Sequence, residues 1–331
     1  MEAHLQTLHL REPFRIAHGT SHTRTVLRVT HNGAVGEAPF VPYYGECPEE
    51  SLRWVQSLSS LTDAVPENAP RAVRLALDLL RLDAQGRRFK TSLGALFDIP
   101  FSQPLPAARS LSIPRSLDEL TQKISTASAQ FSRFKLKLGS GSVAFDLALV
   151  EHAKNTAPHA LFFADANGGW SLAEALEILP RLKRLGLAFV EQPVAHTEGP
   201  HAWRTLHEQL GTGAPPLYAD ESVHGAGDIE EIGEWIAGVN VKLLKCGTFA
   251  AAVDCIRAAR ARGLCVLLGC MIESSIGTSA ASHLAPLADW IDLDGHLWLQ
   301  NDDYEGIQFD SRGMLLPPTL SGIGVLPRKS P

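Results

Sequence analysis

From residue 109 onward the chain alternates short apolar runs with amphipathic stretches, and this alternation restricts the fold more than any other feature. The runs occupy 110–113, 134–138, 161–164, 188–190, 217–219, 240–244, 265–268 and 290–293. Each has the length of a buried strand. The intervals carry helix-start signals: Ser116 with Glu119, Ser171 with Glu174, and Asp228 with Glu231 all have the spacing of a capping box. After the third run, Ala175, Leu176, Leu179 and Leu182 form an apolar stripe that ends at Gly186, with a kink expected at Pro180. Eight strands in strict alternation with helices predict an α/β protein with a parallel (β/α) TIM-type barrel rather than an open sheet.

The first 105 residues have a different texture. Residues 25–30 alternate as a strand, His31-Asn32-Gly33 turns the chain, and 34–37 resume, an Asn-Gly hairpin. Two stretches, 17–25 and 39–50, read as loops rich in polar and aromatic groups, the second with Tyr43, Tyr44 and Glu46. Val73, Leu75, Ala76, Leu79 and Leu80 then fall at helical spacing, and Pro100, Pro104 and Pro106 mark a linker. The expected division is a unit over 1–105, a barrel over 106–300, and a segment over 301–331 that packs back on the first unit.

Composition narrows the function classes. A net charge of −6 offers no basic patch for nucleic acid and no cationic face for a membrane. No apolar run reaches membrane-spanning length, and Met1-Glu2-Ala3-His4 is unlike a signal peptide. The five cysteines include no C-x-x-C pair and read as reduced thiols, which points to the cytoplasm.

Charge recurs at one phase of the barrel alternation. The second run carries Lys135 and Lys137; the third leads to Asp165, the fourth to Glu191, and the fifth to Asp220 and Glu221. The sixth carries Lys242 and Lys245, the seventh leads to Glu273, and the eighth holds Asp292 and Asp294. By itself, Phe134-Lys135-Leu136-Lys137-Leu138-Gly139 also reads as an edge strand defended by lysines. The series favours another reading, because residues at the C-terminal ends of barrel strands converge on one mouth.

Asp165, Glu191 and Asp220 come from successive strands, and three converging carboxylates need a hard dication or a proton. An all-oxygen set suits Mg²⁺. Lys137 precedes the three and Lys242 follows them. Two bases flanking a metal suit the removal and return of a proton beside a substrate carboxylate, through an enediolate. Each lysine is expected to have a depressed pKa, from the ion and the other ammonium. Lys245, three residues beyond Lys242, is expected to face away and to be structural.

FKLKLG, FADANGGW, FVEQP, YADES, VNVKLLKCG, GCMIESSIGTSAA and IDLDG together resemble the enolase superfamily, muconate-lactonising-enzyme subgroup, along nearly the whole chain. The resemblance implies a modified barrel closed by an α+β capping domain from the N-terminus and the C-terminal tail. It implies one Mg²⁺ on Asp165, Glu191 and Asp220, paired acid/base catalysis by Lys137 and Lys242, and support of the substrate carboxylate by Lys135. IDLDG resembles the D-x-D of dipeptide epimerases, in which Asp292 and Asp294 would hold the α-amino group; alternatively, they are partners of the lysines. The implied activity is epimerisation at the α-carbon of a dipeptide's C-terminal residue.

L-Ala-D/L-Glu is the family default for the substrate, with Arg24 or His18 meeting the glutamate side chain; Tyr43, Tyr44 and Glu46 suit an aromatic or cationic one equally. N-acylamino acid racemase, o-succinylbenzoate synthase and muconate cycloisomerase share the scaffold but do not account for the aspartate pair, and a non-catalytic metabolite-binding barrel would not need both lysines. A homo-oligomer is compatible with all of these readings. The sequence departs from the family's glycine pair at Gly247-Thr248, which removes no catalytic group.

Overall fold

The computed structural model describes residues 1–328 apart from 59, 61–64 and 67. Three N-terminal strands, β1 (Glu2–Ile16), β2 (Gly19–His31) and β3 (Ala34–Pro39), form an antiparallel sheet. Asn32 and Gly33 both take positive φ between β2 and β3, the conformation of a tight hairpin turn. Three helices follow: α1 (Pro48–Gln56), α2 (Arg71–Phe89) and the short α3 (Leu93–Leu96). The apolar stripe of α2 is buried against the sheet, with Val73, Leu75, Ala76, Leu79 and Leu80 fully covered.

The long first strand was not legible. Its residues are mostly exposed or half-exposed, with the polar His4, Gln6 and Arg11 among them, so the period-two apolar signal is faint. Its partner β2 extends to Gly19, so the stretch expected as a loop over 17–25 is the tip of a hairpin closed by Ile16 opposite Gly19.

After the two-residue strand β4 (Leu105–Pro106), eight parallel strands follow in spatial order: β5 (Arg109–Leu111), β6 (Arg133–Lys137), β7 (Leu161–Asp165), β8 (Val190–Glu191), β9 (Leu217–Ala219), β10 (Gly238–Val241), β11 (Cys265–Gly269) and β12 (Trp290–Asp292). The Ala108 N–H donates to the Ile291 carbonyl (2.8 Å) and brings the ends of the sheet together. Around it lie α4 (Leu117–Ala127), α5 (Val143–Thr156), α6 (Leu172–Arg184), α7 (Gly199–Leu210), α8 (Ala226–Ile232), α9 (Leu243–Cys246), α10 (Phe249–Ala261) and α11 (Ser275–Ser282). The tail adds β13 (Tyr304–Glu305), β14 (Met314–Leu315) and β15 (Leu326–Pro327); β14 pairs with β4, and Leu93 N–H donates to the Gly322 carbonyl (2.7 Å).

Helix starts follow local chemistry. Ser171 and Glu174 form the expected capping box at α6, and the helix runs through Pro180. Ser116 caps α4, but Glu119 bonds back to the Arg115 N–H. Asp228 does not precede its helix; it is the third residue of α8 and accepts from the His224 and Gly225 N–H groups. The expected sixth strand over 240–244 is also shorter: β10 ends at Val241, and the chain turns into α9 at Leu243.

Inside the barrel, the period of two builds layers. Phe163, Phe189 and Tyr218 stack as a floor, with ring centroids 4.4 and 4.0 Å apart, and Trp290 meets Phe189 edge-on. Two residues further along the same strands stand Asp165, Glu191, Asp220 and Asp292. The aromatic layer thus seals the barrel beneath a charged layer at its mouth.

Candidate active site

Asp165, Glu191 and Asp220 are fully buried, and one oxygen from each lies within 4.8 Å of the others. Strand pairing sets this: Asp165 is directly opposite Glu191, and Glu191 opposite Tyr218, two residues before Asp220. Lys137 Nζ donates to Asp165 Oδ2 (2.6 Å) and Asn167 Oδ1 (3.2 Å) on one side. Lys242 Nζ donates to Asp220 Oδ2 (2.6 Å) on the other. Lys135, one pleat deeper than Lys137, lies 2.8 Å from Glu191, 3.1 Å from Asp165 and 3.1 Å from Asp292.

The electrostatics are those of a crowded acidic centre. Burial raises Asp165, but Lys137 and Lys135 outweigh it and hold the acid at about 2. Asp220 is likewise held well below its ordinary value by Lys242 and Lys245, against burial. Glu191 is pushed up to about 8, by burial and by Asp165. One of the three carboxylates is therefore short of positive charge. A dication satisfies that deficit, and the all-oxygen donor set fits Mg²⁺. The lowering expected from sequence comes from a bound dication, and the carboxylates by themselves act the other way. Burial disfavours the Lys242 ammonium, yet Asp220 outweighs it and holds the group well above its usual range.

Lys245 does not face away. Because Lys242 precedes the turn into α9, the next residues advance at helical rather than strand spacing. Lys245 Nζ comes back to Asp220 Oδ1 (2.7 Å), the Asp220 carbonyl (2.6 Å) and the Asn240 carbonyl (2.7 Å). Gly247 closes α9 at φ 79°, a conformation favouring glycine, and Thr248 caps α10 through the Ala251 N–H. The threonine of the departure from the family's glycine pair thus serves as a helix cap.

The aspartate pair lines the same cavity as Lys135, Lys137 and Lys242. Asp292 accepts from Ser110 Oγ (2.9 Å) beside Lys135, whereas Asp294 accepts from the Ser110 N–H (2.8 Å) and Arg109 Nη1 (2.8 Å). Asp292 is thus also a lysine partner, and Asp294 is not. Arg109 and Ser110 escaped the sequence reading, since both fall at the start of an ordinary strand with nothing local to mark them.

Arg24 lies in β2, 8% exposed, on the cavity wall. It donates to the Phe40 carbonyl and Ser21 Oγ, its Nε has no partner, and among the described residues no carboxylate pairs with it. His18 lies against Tyr43 with the rings tilted (centroids 4.4 Å apart) and approaches Glu221 Oε1 (3.9 Å), while Tyr44 meets His224. These contacts lay the N-terminal hairpin tip and the 3-10 turn Pro42–Tyr44 over the mouth. Glu46 points elsewhere: its carboxylate accepts from the Arg71 and Ala72 N–H groups at the start of α2. Glu273 is buried and pushed up to about 8 by burial and Glu37.

Two further residues sharpen the centre. Asn240 Nδ2 donates to Glu191 Oε1 (2.6 Å). A Cβ at position 269 would lie 2.4 Å from Asn240 Oδ1, so Gly269 leaves the space that the amide occupies. Both sit at the inward phase of their strands, the one signal that would have found them.

Residues 119–330 match the family model described as enolase C-terminal domain-like, and this chain belongs to that family. It is 30% identical to an L-Ala-D/L-amino acid epimerase of Maribacter sp., over 96% of both chains. It is 28% identical to an L-Ala-D/L-Glu epimerase of Bacteroides thetaiotaomicron, over 96% of this chain and 85% of that enzyme. Its fold matches that of a dipeptide epimerase from Cytophaga hutchinsonii complexed with Mg and the dipeptide D-Ala-L-Val (TM-score 0.89, 23% identity, covering 99% of this chain and 95% of that one).

Proposed function

We propose that this protein is an Mg²⁺-dependent dipeptide epimerase that moves one proton at the α-carbon of the C-terminal residue, with Lys137 and Lys242 as its two bases. The observation that carries the reading is the placement of these lysines. Each touches a different carboxylate of the acidic centre, and both open on one cavity with the aspartate pair. Asp165, Glu191 and Asp220 would hold the ion, which when bound supplies positive charge to the substrate carboxylate as negative charge develops on it. Lys135 adds a fixed ammonium at the same point. One of Lys137 and Lys242 takes the α-proton from its side, and the other returns a proton from the opposite side. Phe14, Ile16, Val41 and Ile272 line the same cavity and, with the aromatic contacts over the mouth, keep water from the exchanged position.

The aspartate pair supports a substrate with a free ammonium, for which a muconate or an acylated amino acid has no counterpart. Arg24 supports an acidic side chain on the C-terminal residue, as in L-Ala-L-Glu, because a buried guanidinium without a carboxylate gains most from an anionic ligand. Of the relatives, the one named for L-Ala-D/L-Glu fits an acidic side chain, and the one named for L-Ala-D/L-amino acids fits an N-terminal alanine without specifying the second residue.

The test is deuterium incorporation from D₂O into a dipeptide library, read by mass spectrometry with and without Mg²⁺. Mg²⁺-dependent exchange at the C-terminal α-position is expected, strongest for dipeptides ending in glutamate. Turnover of an acyl amino acid with no exchange in any dipeptide would overturn the assignment.

A further inference from the structure

The two aspartates of the ammonium subsite are not equivalent, and the first barrel strand makes the difference. Of their four carboxylate oxygens, Asp292 Oδ1 accepts from Ser110 Oγ and Asp292 Oδ2 faces Lys135 Nζ at 3.1 Å. Asp294 Oδ2 accepts from both Arg109 Nη1 and the Ser110 N–H, at 2.8 Å each. Asp294 Oδ1 accepts from none of the described residues. Arg109 is itself immobilised: its guanidinium lies over the face of Trp298, 4.6 Å from the ring centroid, and it also donates to the Asp294 carbonyl (3.4 Å).

We infer that Arg109 is a positioning residue that, with Ser110, turns Asp294 so that its free oxygen receives the substrate ammonium, while Asp292 serves chiefly to hold Lys135. This rests on the dipeptide reading above and deepens it. Asp292 already lies beside a buried cation that also touches Glu191 and Asp165, so Asp292 belongs electrostatically to the proton-transfer centre. Asp294 is two residues further along the chain and has Arg109 as its own counter-charge. Arg109 therefore acts on binding of the amino group and not on the α-carbon.

The reverse side of Arg109 is accessible. Arg109, Ser110 and Trp298 also line a separate cleft of about 320 Å³, bounded by Glu119 and Lys123 of α4. Removing the arginine side chain leaves a guanidinium-shaped space that opens to this cleft, so a small cation can replace it from solvent.

The experiment compares wild type, R109A, R109K and D292N with L-Ala-L-Glu and N-acetyl-L-Ala-L-Glu, in the presence of saturating Mg²⁺. In R109A the KM for L-Ala-L-Glu is expected to rise about tenfold or more, with kcat changed by less than about threefold. Its preference for the free over the acetylated dipeptide should fall by a similar factor. Added guanidinium chloride should restore KM, at concentrations where sodium chloride does not, and R109K should lie between the two. D292N should instead lose kcat. An unchanged KM and preference in R109A, or a loss confined to kcat, would overturn the inference; if R109A does not fold, R109K is judged by the same criteria. Wild type that exchanges no dipeptide marks the failure of the epimerase reading instead, and the inference falls with it.

Discussion

Asp165 and Asp220 each pair with two lysines, and this pairing governs what a single substitution beside them does. Lys137 and Lys242 stand on different carboxylates, so the two are expected to fail differently. Lys137→Ala and Lys242→Ala should each lower epimerisation on the order of 10²- to 10⁴-fold. Each should retain solvent exchange from only one of the two stereoisomers, and the retained isomer, read by proton NMR in D₂O, assigns that lysine's face. Full epimerisation by either variant would sink the two-base scheme. Asn240 acts one contact further away, through Glu191 Oε1. Asn240→Leu is expected to weaken Mg²⁺ by about 10- to 100-fold, as for other partners that orient metal ligands. Titration of activity with Mg²⁺ after chelation checks it, and an unchanged midpoint would show that the amide does not orient the ligand.

At the scale of the element, local sequence sets where helices start, and the strand-to-helix turns set which way functional groups point. The capping box of α6 is exposed and neither of its residues lines the cavity of the acidic centre, so Ser171→Ala should cost about 1 kcal/mol in urea denaturation and leave kcat unchanged. The β10–α9 junction shows the limit of counting residues. A uniform strand sends Lys245 away from Lys242, whereas the turn at Leu243 returns it to the same aspartate. The hairpin tip teaches the same lesson. Polar residues over 17–25 suggest a loop, but their pairing with β1 places Arg24 inside the cavity wall.

Over the whole molecule, an ionic cluster built on the buried Arg28–Glu37 pair ties the N-terminal sheet to the barrel and, through the exposed Asp303, to the tail. Arg28 pairs with Glu37 (2.8 Å) and Asp303 (2.9 Å), and Glu37 accepts from Ser274 Oγ (2.6 Å) at the start of α11. Arg28→Met leaves Glu37 buried without its cation and is expected to cost about 3–5 kcal/mol, seen as a lower denaturation midpoint. A midpoint within error of wild type would show that the cluster does not hold the parts together. His283 provides a pH signature. It contacts the Ile323 carbonyl of the tail, and burial lowers its pKa to about 4 from an ordinary 6.5. A depressed histidine favours the unfolded chain as protons are added. Stability should therefore fall between pH 6.5 and 4 by about 1.4 kcal/mol per unit from this group. His283→Gln, which can keep a donor toward Ile323, should show a shallower acid slope in thermal melts.

The barrel and its acidic centre were legible because their signals are local. Strand periodicity, the recurrence of charge at each strand's C-terminal end, and helix caps all act within a few residues of the groups they place, and closing eight such units brings their ends to one mouth. Which partner each charge meets was decided only by tertiary structure. Arg109 and Asp294 lie 185 residues apart, and Glu37 and Ser274 lie 237 apart. No local pattern links such pairs, because closure of the barrel and docking of the N-terminal sheet alone bring them into contact. The same holds for Arg24, whose burial in the wall of the lysine-lined cavity depends on its strand pairing and on the barrel rather than on its own neighbours in sequence. The chain thus carried the acidic centre in its local periodicity, while the partners of its flanking charges were set by long-range packing.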